Sequence, residues 1–246
     1  MLWLYDGSFE GFLSAVHRSY THKCIPEVLT HDKLKLDLLS EPVTIETDLE
    51  AAKKVSTSIT QKFPKKLIER IYHVFLCDDV PRERELLLYI RMGFKDLSLL
   101  SNLSHPVVYA IEQYQKRVFS TIHKMHAFTR FEMLEDGLLY AKIAPPRNVL
   151  PLLGKHFVKR LGAEKFIIHD ISRGWIVVYD GKTLEMHAVL DASVPVLHER
   201  EQQFQKLWKT FFDTVAIESR KNYKVQRNSV PLLYRELMTE FKDISA

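Results

Sequence analysis

The sequence predicts an α+β fold: an antiparallel sheet of about five to seven strands with a helical layer packed on it. Three observations lead there. Strand-forming runs concentrate between residues 119 and 190, broken by the turn sequences Glu135-Asp136-Gly137 and Ser172-Arg173-Gly174. Residues 48–126 read as a succession of amphipathic helices, and residues 199–241 carry further helical stripes.

With 246 residues and a 46% hydrophobic share, the chain can bury a sizeable core in one large or two small domains. It shows no repeat, low-complexity run or Gly/Ser linker. One domain over 1–246 is expected, with a helical insertion at 48–126, a sheet core at 119–190 and C-terminal helices at 199–241.

Taken in order, Leu2-Trp3-Leu4-Tyr5 is a short strand. Asp6-Gly7-Ser8 turns it into a helix with Phe9, Phe12, Leu13, Val16 and Tyr20 on one face. Asp6 and Ser8 sit where they can cap that helix or face a ligand. Residues 21–42 read as irregular, and Val43 to Glu46 as an edge strand. Thr47 or Asp48 caps the next helix, Pro64 and Pro81 each start another, and a long one spans Pro106 to His126. Phe128 to Met133 and Leu138 to Ile143 flank an Asp-Gly turn as a hairpin. Asn148 caps a helix that Gly162 stops. Lys165 to Ile171 and Trp175 to Asp180 form a second hairpin, with Thr183 to Ala188 as a third strand. Arg200 to Ala216 is a helix striped by Phe204, Leu207, Trp208, Phe211, Phe212 and Val215. A basic, amide-rich connection over 217–228 leads to a last helix from Pro231 to Phe241.

The two cysteines, Cys24 and Cys77, have no metal-ligand spacing and suggest no disulfide framework. The N-terminal MLWLYDGSFEG has no basic leader and no long apolar run, so neither a signal peptide nor a membrane span is expected, and the expected compartment is the cytoplasm. Charge is uneven. Residues 116–182 hold 12 Lys/Arg against 6 Asp/Glu, whereas 1–115 hold 14 against 16 and 183–246 hold 9 against 9. A basic central block suits a polyanionic partner or is a solvated face.

The chemistry-bearing residues cluster in the same block. His123 and His126 share a helix face, His156 lies on the next helix with Arg160 one turn on, and His169-Asp170 ends a strand with Arg173 in the turn. Imidazoles beside a carboxylate can ligate a metal, act as a general base, or hydrogen-bond between helix and sheet. His-x-x-His spacing is much less specific than His-Glu-x-x-His, so no metal and no cofactor is assigned. His123, His156, His169 and Asp170 are the catalytic candidates. Arg130, Lys142, Arg160, Arg173, Arg220, Tyr223, Lys224 and Arg227 are the nucleic-acid candidates, Arg by bidentate phosphate contact and Tyr223 as an exposed stacking ring. Trp3, Tyr5, Tyr140 and Trp175 are further stacking candidates that strand positions more commonly bury. There is no Gly-rich phosphate loop, nucleophile elbow or zinc finger, and no cysteine cluster to hold iron–sulphur.

Five ordered blocks carry a family resemblance. They are Trp3-x-Tyr5-Asp6-Gly7-Ser8-Phe9-Glu10-Gly11-Phe12; His123-Lys124-Met125-x-x-Phe128-x-Arg130-Phe131; Asn148 to Leu153 with His156-Phe157-x-x-Arg160; Ile168-His169-Asp170 with Arg173; and Leu207-Trp208-Lys209-x-Phe211-Phe212 with Ile217, Arg220, Asn222, Gln226, Pro231 and Tyr234. Together they resemble a bacterial domain family of unknown function described as probable DNA metabolism or DNA repair proteins. The resemblance implies a DNA partner and a radical-SAM protein partner thought to modify or repair DNA. Related domains in other members are fused to a uracil-DNA glycosylase domain. No glycosylase motif follows here, so that base-excising activity is not expected of this chain.

Three readings stand at this point. The first is a DNA-binding accessory protein in DNA repair or modification, working with the radical-SAM partner and with no membrane. The second is a DNA-processing enzyme whose His123, His156, His169 and Asp170 converge on one pocket. The third is an interaction scaffold without nucleic-acid contact.

Overall fold

Strand β1 (Leu2–Tyr5) runs into helix α1 (Phe9–Thr21), which returns the chain to β2 (Glu27–Thr30). That crossover makes β1 and β2 parallel, with Leu2 opposite Glu27 and Tyr5 opposite Thr30. On its other side β1 pairs, again in parallel, with β3 (Val43–Thr44). The computed structural model describes residues 1–30, 42–189 and 196–242. Residues 31–41 of the stretch expected to be irregular lie outside them, while Glu27–Thr30 of that stretch is a strand.

The turn between β1 and α1 takes the capping role open to it. Ser8 is the N-cap and accepts from the Gly11 amide at 2.9 Å. Asp6 accepts from the Ser8 amide at 2.9 Å and from the Thr47 hydroxyl at 2.7 Å. Gly11 is required by closeness, since a Cβ there would collide with the Asp6 carboxylate and stand 2.9 Å from Thr47 Oγ1.

Helices α2 (Leu49–Lys62), α3 (Lys65–Phe75) and α4 (Glu83–Lys95) follow. Asp48 caps α2 through the Glu50 and Ala51 amides. Their apolar faces join Trp3, Tyr5, Phe12 and Val16 in one core with Ile71, Val74, Leu86, Leu87 and Ile90. A charged pair is sealed within it. Arg82 and Glu83 are buried at 2.5 Å, and the Tyr5 hydroxyl donates to the same carboxylate at 3.2 Å. Helix α5 (Pro106–Phe128) comes next, and the chain divides within it into two compact units, Met1–Phe119 and Ser120–Ala246.

In the second unit, β4 (Glu132–Met133) and β5 (Leu139–Ile143) are the antiparallel arms of the Asp-Gly hairpin, with Gly137 at φ 81°. The first arm is shorter than expected, because Phe128 is the last residue of α5. Helix α6 (Leu150–Leu161) leads to β6 (Phe166–Asp170), which pairs in parallel with β5. Val149, not Asn148, occupies the N-cap position, and Pro151 stands in the first turn. Strands β7 (Trp175–Tyr179) and β8 (Leu184–Ala188) add antiparallel neighbours, giving the order β4-β5-β6-β7-β8.

The single antiparallel sheet of five to seven strands is therefore corrected to two sheets, one three-stranded and all parallel, the other five-stranded and mixed. The reason is the crossover: α1 and α6 each carry the chain back to the strand's starting end, so β1–β2 and β5–β6 are parallel. Helix α6 covers the face bearing Val177 and Leu184, whose side chains lie 3.2 and 3.1 Å from where a Gly154 Cβ would stand.

Helix α7 (Glu201–Thr214), α8 (Tyr223–Ser229) and α9 (Leu232–Arg235) complete the unit, with a 3-10 turn at Thr239–Phe241 where one continuous helix from Pro231 was expected. Segment 217–228, expected as a connection, holds α8, capped by Asn222 through the Lys224 and Val225 amides. Among the described residues, no helix is long and apolar enough to cross a membrane.

Candidate functional site

The second unit contains an open groove of about 1030 Å³ between the end of α5, the β4–β5 hairpin and α7. Its lining mixes two kinds of side chain, the α7 residues Phe204, Leu207, Trp208 and Phe211 and the group His126, Arg130, Phe131 and Arg160. The two meet where Arg130 stands over the Trp208 ring, 5.7 Å from its centroid.

Backbone pairing positions α7. Leu134 and Leu197 form an antiparallel bridge, and the His198 amide donates to the Met133 carbonyl at 2.9 Å, so the residues before α7 lie along the β4 edge. The Glu201 carboxylate then accepts from the Met133 amide at 2.9 Å. The tail closes the far end. Glu240 takes a bidentate bond from Arg130, at 3.2 Å from Nε and 2.7 Å from Nη2, and another from the Trp208 indole at 3.2 Å. Burial alone would raise the Glu240 carboxyl, but the Arg130 and Trp208 bonds hold it below the usual glutamate value.

In the apolar stripe of α7, Trp208 is 41% exposed and Phe211 55%, with Phe204 and Leu207 exposed beside them. Apolar side chains grouped and exposed in this way are a common feature of binding surfaces. The periodicity alone could not reveal this, because positions 204, 207, 208 and 211 have the spacing of any helix face.

Behind His126 lies His156. The two rings are stacked with centroids 3.6 Å apart and planes 14° apart, joining the end of α5 to α6. Both Nε2 atoms are buried and have no hydrogen-bond partner. Burial lowers both imidazoles below the ordinary histidine value. His126 is lowered further by His156, His123 and Arg160, and His156 by Arg160 and Lys159.

The four catalytic candidates are not brought together. His156 is on α6, which covers the sheet face of Val177, whereas His169 alternates with Ile168 and Asp170 and points to the opposite face. There His169 Nδ1 is hydrogen-bonded to the Tyr140 hydroxyl at 2.8 Å, and burial lowers its imidazole. Asp170 is fully buried and serves its own turn, accepting from the Ser172 amide at 3.1 Å and Arg173 Nη1 at 3.0 Å. His123 is exposed on α5 one turn before His126. No group of three or more metal-ligating side chains occurs among the described residues.

The nucleic-acid candidates divide as well. Arg160 is exposed in the groove wall. Arg130 lines the groove but is tied to Glu240, and Arg173 is tied to Asp170 and the Pro145 carbonyl. Lys142 is exposed on the His169 face, over the Tyr140 ring at 5.8 Å. Arg220, Tyr223, Lys224 and Arg227 are exposed on or beside α8, with Tyr223 73% exposed. Of the other aromatics considered, Trp3, Tyr5 and Tyr140 are buried, while Trp175 is 40% exposed.

The fold and groove define an α+β protein with an open groove lined by aromatic rings together with cations and an imidazole. The chain belongs to the family of the DUF4130 domain, a domain of unknown function, whose family model matches residues 81–240. Every residue of the groove falls within that stretch. No curated protein matches the chain.

Proposed function

We propose that this protein is a DNA-binding accessory protein in DNA repair or modification, which holds unpaired DNA in the groove of its second unit and works beside a radical-SAM partner. The observation that carries the reading is the mixed lining: Phe204, Trp208 and Phe211 share a groove of about 1030 Å³ with Arg160 and His126. Single strands are bound by this combination, bases stacking on aromatic rings at about 1–3 kcal/mol each while cations follow the phosphates. Paired bases keep their faces inside the duplex, so the ring wall favours unpaired ones. The charge distribution agrees, since the block that contributes His126 and Arg160 holds 12 Lys/Arg against 6 Asp/Glu.

The choice of DNA and of the radical-SAM partner rests on the resemblance of the five sequence blocks. Fluorescence anisotropy with short single- and double-stranded DNA, at low and physiological salt, tests the reading. It predicts tighter binding to the single strand, weakening with salt as phosphate contacts release counterions. Absence of binding to either form at low salt overturns it.

A further inference from the structure

The groove has a polar end that stacking does not use. We infer that His126, with His156 behind it and Arg160 one turn along α6, forms a phosphate subsite that takes one phosphodiester or phosphomonoester group of a nucleotide. This rests on the reading of the groove as a nucleic-acid site and names what its cationic side chains recognise.

Three observations support it. First, His126 and Arg160 line the same groove as the rings of Trp208 and Phe211. A nucleotide with its base on those rings has both side chains within the same groove for its phosphate. Second, the groups acting electrostatically on the stacked pair are all cations or imidazoles: His123 from α5, and Lys159 and Arg160 from α6. The nearby carboxylates are committed elsewhere. Glu201 serves the Met133 amide and Gln205, and Glu240 serves Arg130 and Trp208. Like charges gathered without a carboxylate favour an anion among them. Third, the two Nε2 atoms are buried without partners, on rings already in contact. Buried polar atoms are nearly always satisfied, so two adjacent exceptions mark a ring pair that gains a partner only if a ring turns, and His126 is the member that lines the groove.

The chemistry gives the subsite a signature. Without an anion a proton on either ring is disfavoured, because it is desolvated and repelled by Arg160. A phosphate beside Arg160 and His126 supplies the missing negative charge and favours the imidazolium. A turn of the His126 ring about its Cβ–Cγ bond then directs an Nε2–H donor at the phosphate oxygen. Phosphate binding is therefore coupled to proton uptake by the pair.

Imidazole NMR of the full chain, titrated in pH with inorganic phosphate, thymidine 5′-monophosphate or thymidine, tests this. Inorganic phosphate and the monophosphate should raise the His126 and His156 midpoints by about one pH unit, a tenfold gain in proton affinity. Thymidine should leave them in place. Arg160 is exposed, so Arg160→Gln should preserve the fold and abolish the rise, whereas Lys53→Gln in the first unit should not. A rise with inorganic phosphate but not with the monophosphate would overturn the nucleotide assignment. Midpoints unmoved by either phosphate would overturn the subsite, even if single-stranded DNA still binds. A phosphate-dependent rise in a protein that binds no oligonucleotide would support the anion site and remove the groove's nucleic-acid reading.

Discussion

His126 and His156 lie ring on ring, 3.6 Å between centroids, although they belong to different helices and are separated by the whole β4–β5 hairpin. Both imidazoles titrate below their ordinary value because burial disfavours the charged ring. The folded chain then holds fewer protons than the unfolded chain, so stability is full above the ordinary value and falls as pH drops toward the folded one. Urea midpoints at about pH 7.5 and about pH 5.5, on either side of the ordinary imidazole value near 6.5, should show lower stability in acid. In a His126→Phe, His156→Phe double variant that difference should shrink. An unchanged difference would place the acid sensitivity elsewhere.

The Arg130–Glu240 pair holds the tail against the end of α5, with Arg130 only 22% exposed. Arg130→Ala leaves a mostly buried carboxylate without its main partner. Breaking a fully buried pair costs about 3–5 kcal/mol, and partial exposure of Arg130 reduces the expectation to about 2 kcal/mol. Glu240 titrates below its usual value, so this contribution is present above the usual glutamate range and lost as pH falls through the folded value. Denaturant unfolding of Arg130→Ala at neutral pH checks the size. A loss under about 0.5 kcal/mol, typical of an exposed pair, would show that the clamp does not hold the tail.

In the first unit, Tyr5 donates to a carboxylate that Arg82 also holds, and all three are buried. Tyr5→Phe keeps the ring in the core and removes one bond to a charged acceptor. The expected cost is about 1.5–3 kcal/mol by thermal or urea unfolding. A neutral result would mean that Arg82 alone satisfies Glu83.

Gly11→Ala drives a methyl group into the Asp6 carboxylate and toward Thr47 Oγ1, 2.9 Å away. Overpacking of this kind costs about 1–3 kcal/mol, and loss of the Asp6–Thr47 bond adds to it. The variant should melt earlier than Thr47→Val, which only removes the hydroxyl bond. Equal melting of the two would show that the turn yields without strain.

Much of the fold was legible where local chemistry is decisive. The Asp136-Gly137 hairpin, the capping turns at Asp6–Ser8 and Thr47–Asp48 (where Ser8 and Asp48 turn out to be the caps) and the helix after Pro64 follow from turn and capping preferences. Sheet direction was not legible in the same way. The strand–helix–strand order of β5, α6 and β6 fits either pairing sense locally, and only the return path of α6 makes it parallel. The candidate site was half visible. Arg160, His126 and His156 stood out as residue types, but their meeting depends on how α5 and α6 cross. The ring wall was hidden because Phe204, Leu207, Trp208 and Phe211 have the pattern of a buried face while standing exposed. Asp170 drew attention as a carboxylate beside a histidine, yet strand alternation sends the two side chains to opposite faces.

The central claim is that unpaired DNA lies on the α7 wall of the groove, and photocrosslinking tests it most directly. A single-stranded oligonucleotide carrying 5-bromodeoxyuridine, irradiated with the full chain and followed by peptide mapping, should place crosslinks on residues 204–211, with Trp208 foremost. Trp208→Leu should remove the main crosslink and weaken binding by about tenfold, the loss of one stacked base. Crosslinks confined to Tyr223 on α8 or Trp175 on β7, with binding unaffected by Trp208→Leu, would contradict the account.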